Sequence, residues 1–261
     1  MSQPTSRDNI GPLNGLDNIL SLEISKWVGE NRWLIQSGIW LILVNGLMSL
    51  GLVLAPLQGA DTPSARDGVV MFAELLFSIG PVGVIVLTQG DLINETQDGS
   101  MEWMLTAPLS RAAVLVGKFV VNSVFLLSIA VLLQGTVGFV LINRFAEGTV
   151  QLVPFLVSLA VHGLHLLFWI SLTLMLGAFV KKRAVLLGAS IGFLLFQGLI
   201  GTTLARIHPI FQEILPGVLQ RTVLEIATGE TLSGYLPVLA TGAWIILFIG
   251  LAIWSFNRVE F

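Results

Sequence analysis

Six apolar runs, residues 34–55, 69–88, 119–142, 155–180, 184–204 and 236–256, dominate this chain. Each is long enough to cross a hydrocarbon layer of about 30 Å as a helix, which takes roughly 20 apolar residues. Water is absent there, so the backbone must satisfy its own polar groups, and a helix does so within one segment. The expected fold class is therefore an all-α membrane protein with six transmembrane helices. Composition agrees: mean hydropathy is +0.87 and only 11% of residues are charged, against about a quarter in soluble domains. With no cysteine, disulfides, thiolate metal sites and cysteine nucleophiles are excluded. Residues 1–15 are polar and lack an apolar core followed by a small-residue cleavage site, so no signal peptide is expected. Pro4, Gly11, Pro12 and Gly15 mark this stretch as a disordered cytoplasmic N-terminus ahead of a single transmembrane domain over residues 16–261.

The basic residues orient the spans, because loops on the cytoplasmic side carry the excess of Lys and Arg. An even number of spans puts both termini on one side. That side holds Arg7, Lys26, Arg32, Arg111, Lys118, Lys181, Lys182, Arg183 and Arg258. The other holds Arg66, Arg144, Arg206 and Arg221 and no lysine. The expected placement is a multi-pass protein of the cell membrane with both termini cytoplasmic. Before the first run, Leu16, Ile19, Leu20, Ile24, Trp27, Val28 and Leu34 fall near one helical face, with Asp17, Ser21, Ser25, Lys26, Glu30 and Arg32 mostly elsewhere. That pattern predicts an amphipathic helix over residues 16–33 in the membrane interface, with Trp27 and Trp33 at headgroup depth. On the far side, residues 205–235 alternate apolar and polar residues between Pro209 and Pro216 and beyond, which predicts short helices before the sixth span.

Residues 89–118 are the longest polar stretch on the basic side. Asp91, Glu95, Asp98 and Glu102 wrap around a helix instead of converging, and no histidine accompanies them, so a catalytic or metal cluster is not indicated. Glu95 and Glu102 share a face. Gly99 caps or breaks the helix, and Ala107-Pro108 stops it, since the residue before proline disfavours the α region. Ser110 can then N-cap a helix that carries Arg111 and Lys118 into the third span. Trp103 and Met104 on such a segment read as a docking surface.

The pattern E-x-x-x-G-S-x-E-W-x-L-T-x-P-x-S-R-x-x-x-x-x-G-K, Glu95 to Lys118, resembles the segment after the second span of ABC-2 type permeases, membrane subunits of ATP-binding-cassette transporters. The interfacial helix, the six spans, the long loop before the last span and the charged ending Asn257-Arg258-Val259-Glu260-Phe261 resemble that family too. The resemblance implies a cytoplasmic coupling helix between spans 2 and 3 that docks on an ATPase through Glu95, Gly99, Glu102, Trp103, Met104, Pro108 and Arg111. It also implies two permease copies, as a homodimer or with a paralogue, and two ATPase subunits. No nucleic-acid partner is expected. This chain should bind no nucleotide itself: its only Gly-Lys pair, Gly117-Lys118, is followed by Phe119, and Ala112 stands where a phosphate loop has its first glycine. ATP and magnesium would then sit on the partner.

Polar residues inside the spans are candidates for substrate handling. They are Glu74, Gln134, His162, His165 and Gln197, with Asn45 and Asn122. His162 and His165 lie three apart on one helical face, an incomplete metal pair whose alternative is interhelical hydrogen bonding. The stretch Gly80-Pro81-Val82-Gly83 is expected to kink the second span. Ala184, Gly188 and Gly192 form a small-residue stripe on the fifth span, open either to a helix of the same chain or to a second copy. The expected function is a permease subunit of an ATP-driven exporter, not an enzyme by itself. Two alternatives stay open: a permease-like subunit that transmits mechanical work without moving a substrate, and an intramembrane enzyme using Glu74 with His162 or His165.

Overall fold

The computed structural model describes residues 13–94 and 110–258. All named elements among them are helical. Helix α1 runs Leu16–Gly29. The six spans are α2 (Arg32–Leu57), α3 (Ala65–Thr88), α4 (Arg111–Phe145), α5 (Leu152–Phe179), α6 (Arg183–Ala205) and the last helix, α9 (Leu236–Arg258). Between α6 and α9 lie the short helices α7 (Ile210–Glu213) and α8 (Leu219–Thr228), as the alternation in that loop predicted. The chain is a multi-pass membrane protein.

The caps follow from sequence. Ser64 opens α3 with a reciprocal capping box: its hydroxyl accepts from the Asp67 amide, and the Asp67 carboxylate accepts from the Ser64 amide at 3.1 Å. Ser110 caps α4, accepting from the Ala113 amide at 3.0 Å, as expected. α1 stops at Gly29, short of residue 33, because Asn31 takes a left-handed conformation (φ 53°) that turns the chain into α2.

α5 is the centre of the bundle, with 67% of its most apolar window buried, whereas α6 and α9 bury 17% and 22%. α5 packs on α3, α8 and α9. Thr88 and Thr173 share a hydroxyl–hydroxyl bond of 2.7 Å that ties α3 to α5. α3 is helical straight through Pro81. The neighbouring glycines serve close packing: a Cβ on Gly80 would lie 2.9 Å from Leu166 Cδ2, and one on Gly83 would lie 2.5 Å from Trp40 Cζ2.

Two spans contain π-helical turns, at Leu41–Gly46 and Leu50–Leu54 in α2 and at Leu127–Leu133 in α4. These wide turns leave carbonyls without their usual partners, and polar side chains take them up. Gln134 donates to the Ile129 carbonyl at 2.9 Å and accepts from Asn45 Nδ2 at 2.7 Å. The two buried amides thus join spans 1 and 3.

Candidate functional site

At the end of the bundle that carries both termini, the starts of α1 and α4 and the end of α9 meet. The Ser110 amide donates to the Asn14 carbonyl at 3.1 Å, and Arg111 Nη1 donates to the Phe256 and Asn257 carbonyls at 3.0 and 3.1 Å. Those two carbonyls belong to the last turn of α9, where a cation is also favoured by the helix dipole. Arg111, predicted as a coupling residue, therefore anchors the start of span 3 to the end of span 6.

Behind this anchor lies a buried polar node that sequence reasoning missed. α1 buries Ile19, Glu23 and Trp27, one residue per turn. Ile19 sits over Gly117, where a Cβ would lie 2.5 Å from Ile19 Cγ2. That close approach brings Glu23 to Lys118, Oε1 to Nζ at 2.7 Å, with both side chains buried. One turn further on, the Trp27 indole donates to Asn122 Oδ1 at 3.3 Å and stacks on Phe125 at 5.0 Å. Glu23 and Trp27 on α1 thus grip Lys118 and Asn122 on α4 in the same four-residue register. The other end of the Asn122 amide donates to Asp91 Oδ2 at 2.5 Å, in the turn that follows span 2. Arg32 lies over the Trp27 ring at 4.7 Å and donates to the Leu87 carbonyl.

The electrostatics of the node are uneven. Burial pushes the Glu23 carboxyl up, but the Lys118 ammonium and its hydrogen bond, helped by Lys26 at 2.8 Å, hold it below its ordinary value. At Asp91, burial dominates: the Lys118 charge opposes it, Glu23 reinforces it, and the carboxyl is raised to about 6. The apolar face expected for α1 needs correcting accordingly. The buried stripe carries a carboxylate, Trp27 is enclosed between helices, and Ile24 and Val28 are exposed. A charge-free stripe was the wrong template, because a Glu buried opposite a Lys is invisible to apolar periodicity. The sequence signal that could have found the node is Lys118 beside Gly117 inside an otherwise apolar helix.

The intramembrane candidates separate. Glu74 lies on the exposed face of α3, while Phe77, on its buried face, packs between His162 and His165 with ring centroids 4.8 and 4.4 Å away. The histidines and Glu74 do not converge, which leaves the intramembrane-enzyme alternative without a site. Trp169 donates to His165 Nε2 at 3.0 Å. Among the described residues no group of three potential metal ligands occurs. His162 borders a cavity of about 10 Å³ with Ser158 and Phe155. Gln197 accepts from the Gly217 amide at 3.1 Å and so pins the far-end loop to span 5. A Cβ at Gly188 or Gly192 meets nothing within 4 Å, and Ala184 is exposed, so the small-residue stripe faces away from its own chain. Glu95, Gly99, Glu102, Trp103, Met104 and Pro108 lie outside the described residues.

At the far end, α8 buries Leu219 and Val223 against Ala73 and Phe77. An open cleft of about 590 Å³ separates it from the head of α3, between Arg66 and Val70 on one wall and Gln220, Arg221 and Leu224 on the other. Arg66 pairs with Glu230 at its rim.

Comparison with known proteins agrees with this architecture. The probable ABC transporter permease protein NosY of Stutzerimonas stutzeri is 28% identical to this chain over 137 residues, 52% of the chain and 48% of that protein. The match thus spans about half the length of that relative. The family model for ABC-2 family transporter proteins matches residues 18–261. With six spans, a grip of α1 on span 3 and this match over nearly its whole length, the chain belongs to the ABC-2 family of transporter proteins.

Proposed function

We propose that the chain is the membrane-spanning subunit of an ATP-driven exporter, with hydrolysis on a separate cassette ATPase that docks on residues 89–118 from the cytoplasm. The observation that carries this reading is how that segment is mounted. Asp91 fastens its start to α4, and Ser110 and Arg111 fasten its end to α1 and α9. A load applied between these points reaches spans 2, 3 and 6 together. The excess of lysine and arginine at this end supports a cytoplasmic orientation in the cell membrane. Two permease copies would meet through Ala184, Gly188 and Gly192, a stripe that no part of the same chain covers among the described residues. A subunit that transmits work without carrying a substrate remains the second reading. It is favoured by the mutual bonding of Asn45 and Gln134, which leaves those two amides committed to span packing.

The docking segment is tested by Trp103→Ala. Truncating a central aromatic anchor costs on the order of 2 kcal/mol, while a rim charge costs less and weakens with salt. Trp103→Ala should therefore release the ATPase in a pull-down, and Glu102→Ala should do so only mildly. Pro108→Ala should lower coupled hydrolysis more than binding, and Arg144→Ala, at the far end, should leave the ATPase bound. Unchanged recovery of the ATPase with Trp103→Ala removes the docking assignment. For the dimer, Gly188→Leu with Gly192→Leu should abolish crosslinked dimer and leave the monomer folded, since a Cβ added at either glycine meets nothing within 4 Å. Undiminished crosslinking would sink the stripe as the contact.

A further inference from the structure

His162 and His165 are both buried on α5, yet they are satisfied differently. His165 Nε2 accepts the Trp169 N–H, whereas neither ring nitrogen of His162 meets a protein partner among the described residues. An imidazole has two hydrogen-bonding nitrogens in either protonation state, and buried polar atoms are rarely left unpaired. Ser158 stands one turn earlier on the same helical face. Its hydroxyl donates to the Phe155 carbonyl at 2.7 Å, which leaves the oxygen able to accept. Ser158 and His162 both line the cavity of about 10 Å³, and the rest of its wall is apolar. That volume is close to the roughly 10–15 Å³ that one water needs, and a water held there needs at least two polar partners. Ser158 and His162 are two such partners.

A larger cavity adjoins this one at the far end. It measures about 220 Å³ and lies between the head of α3, the end of α8 and the turn before α5, with Arg66, Thr149, Gln151 and Thr228 among its walls. Val69 of α3 and Ala227 of α8 line both cavities, and both side chains are buried, so they form a partition between the two. His162 follows Leu152, the first residue of α5, by about ten positions, which places it roughly 15 Å along the helix from the far end. We propose that Ser158 and His162 form an internal hydration site, a one-water pocket in the core of the bundle that fills from the far-end vestibule past Val69 and Ala227. The water donates to Ser158 Oγ and pairs with a His162 nitrogen. The core thereby gains an aqueous contact with the far end, whatever drives the protein from the other.

Hydroxyl-radical footprinting tests the site and its route. A synchrotron X-ray pulse on the full chain in lipid nanodiscs turns bound water into hydroxyl radical, and mass spectrometry locates the oxidised side chains. Phe72 and Phe155 line the small cavity and not the vestibule, whereas Phe168, equally buried, lines neither. Phe72 and Phe155 should therefore be oxidised severalfold faster than Phe168 in the wild-type chain. Ser158→Ala, which removes one of the water's two partners, should bring them down towards the Phe168 rate. Equal rates at the three phenylalanines in the wild type, or rates unchanged by Ser158→Ala, overturn the hydration site. The first comparison uses the wild-type chain alone, so a variant that fails to fold leaves it intact. For the route, the protein is mixed into heavy-oxygen water at intervals before the pulse, and the oxidised Phe155 should carry the isotope. Ala227→Leu fills the partition and leaves Ser158 and His162 in place, so it should slow that incorporation severalfold. Incorporation as fast as in the wild type overturns entry past Val69 and Ala227.

Discussion

Lys118→Met should lower the stability of the folded chain by about 3 kcal/mol, because removing one partner of a buried ion pair strands the other charge. Glu23 keeps Lys26, but that lysine is itself partly exposed and three residues away on the same helix. Glu23→Leu alone should cost a similar amount, because it removes the buried carboxylate that Lys118 meets at 2.7 Å. The double variant Glu23→Leu/Lys118→Met should recover most of the loss, since a buried pair replaced by apolar side chains is often neutral. Thermal unfolding followed through tryptophan fluorescence reads this directly, as Trp27 lies in the node. Single variants as stable as the wild type would show that the pair is solvated and that the node does not hold α1.

Gly83→Leu is the second large effect. A Cβ at this position would stand 2.5 and 2.9 Å from the Trp40 ring atoms Cζ2 and Cη2. Trp40 is buried, and a planar ring cannot yield as an aliphatic end can. Overpacking of this kind costs about 1–3 kcal/mol, and here it pushes span 1 away from span 2. Gly242→Leu is the control, because a Cβ there meets nothing within 4 Å. Equal unfolding temperatures for the two variants would contradict the tight contact.

The spans were readable because hydrocarbon imposes a length and a polarity on any helix that crosses it, and the run from 155 to 180 maps onto Leu152–Phe179 with little adjustment. Ser110 as a cap was equally legible, since a helix start exposes amides that a serine can bind locally. Pairings between helices were not. Nothing in the spacing of Gln134 says that it faces Asn45, because the π turns that bring them together shift the register by an amount that periodicity does not reveal. The same holds for Asp91, which its spacing groups with Glu95, Asp98 and Glu102 around a helix, yet which accepts a hydrogen bond from Asn122 within the node. Arg111 was singled out for its place in the motif, and its hydrogen bonds to two backbone carbonyls tie it to the end of the last span.

Span 3 also has a mechanical consequence. α4 has 35 residues, which at about 1.5 Å each make a rod of roughly 52 Å, against some 30 Å of hydrocarbon. It must lean or protrude, and its wide turn at Leu127–Leu133 lies close to its midpoint. If that turn serves as the fulcrum, each five degrees of rocking carries the two tips about 2 Å in opposite directions. A short stroke at Arg111 would then be returned, reversed and undiminished, at Phe145 on the other side of the membrane.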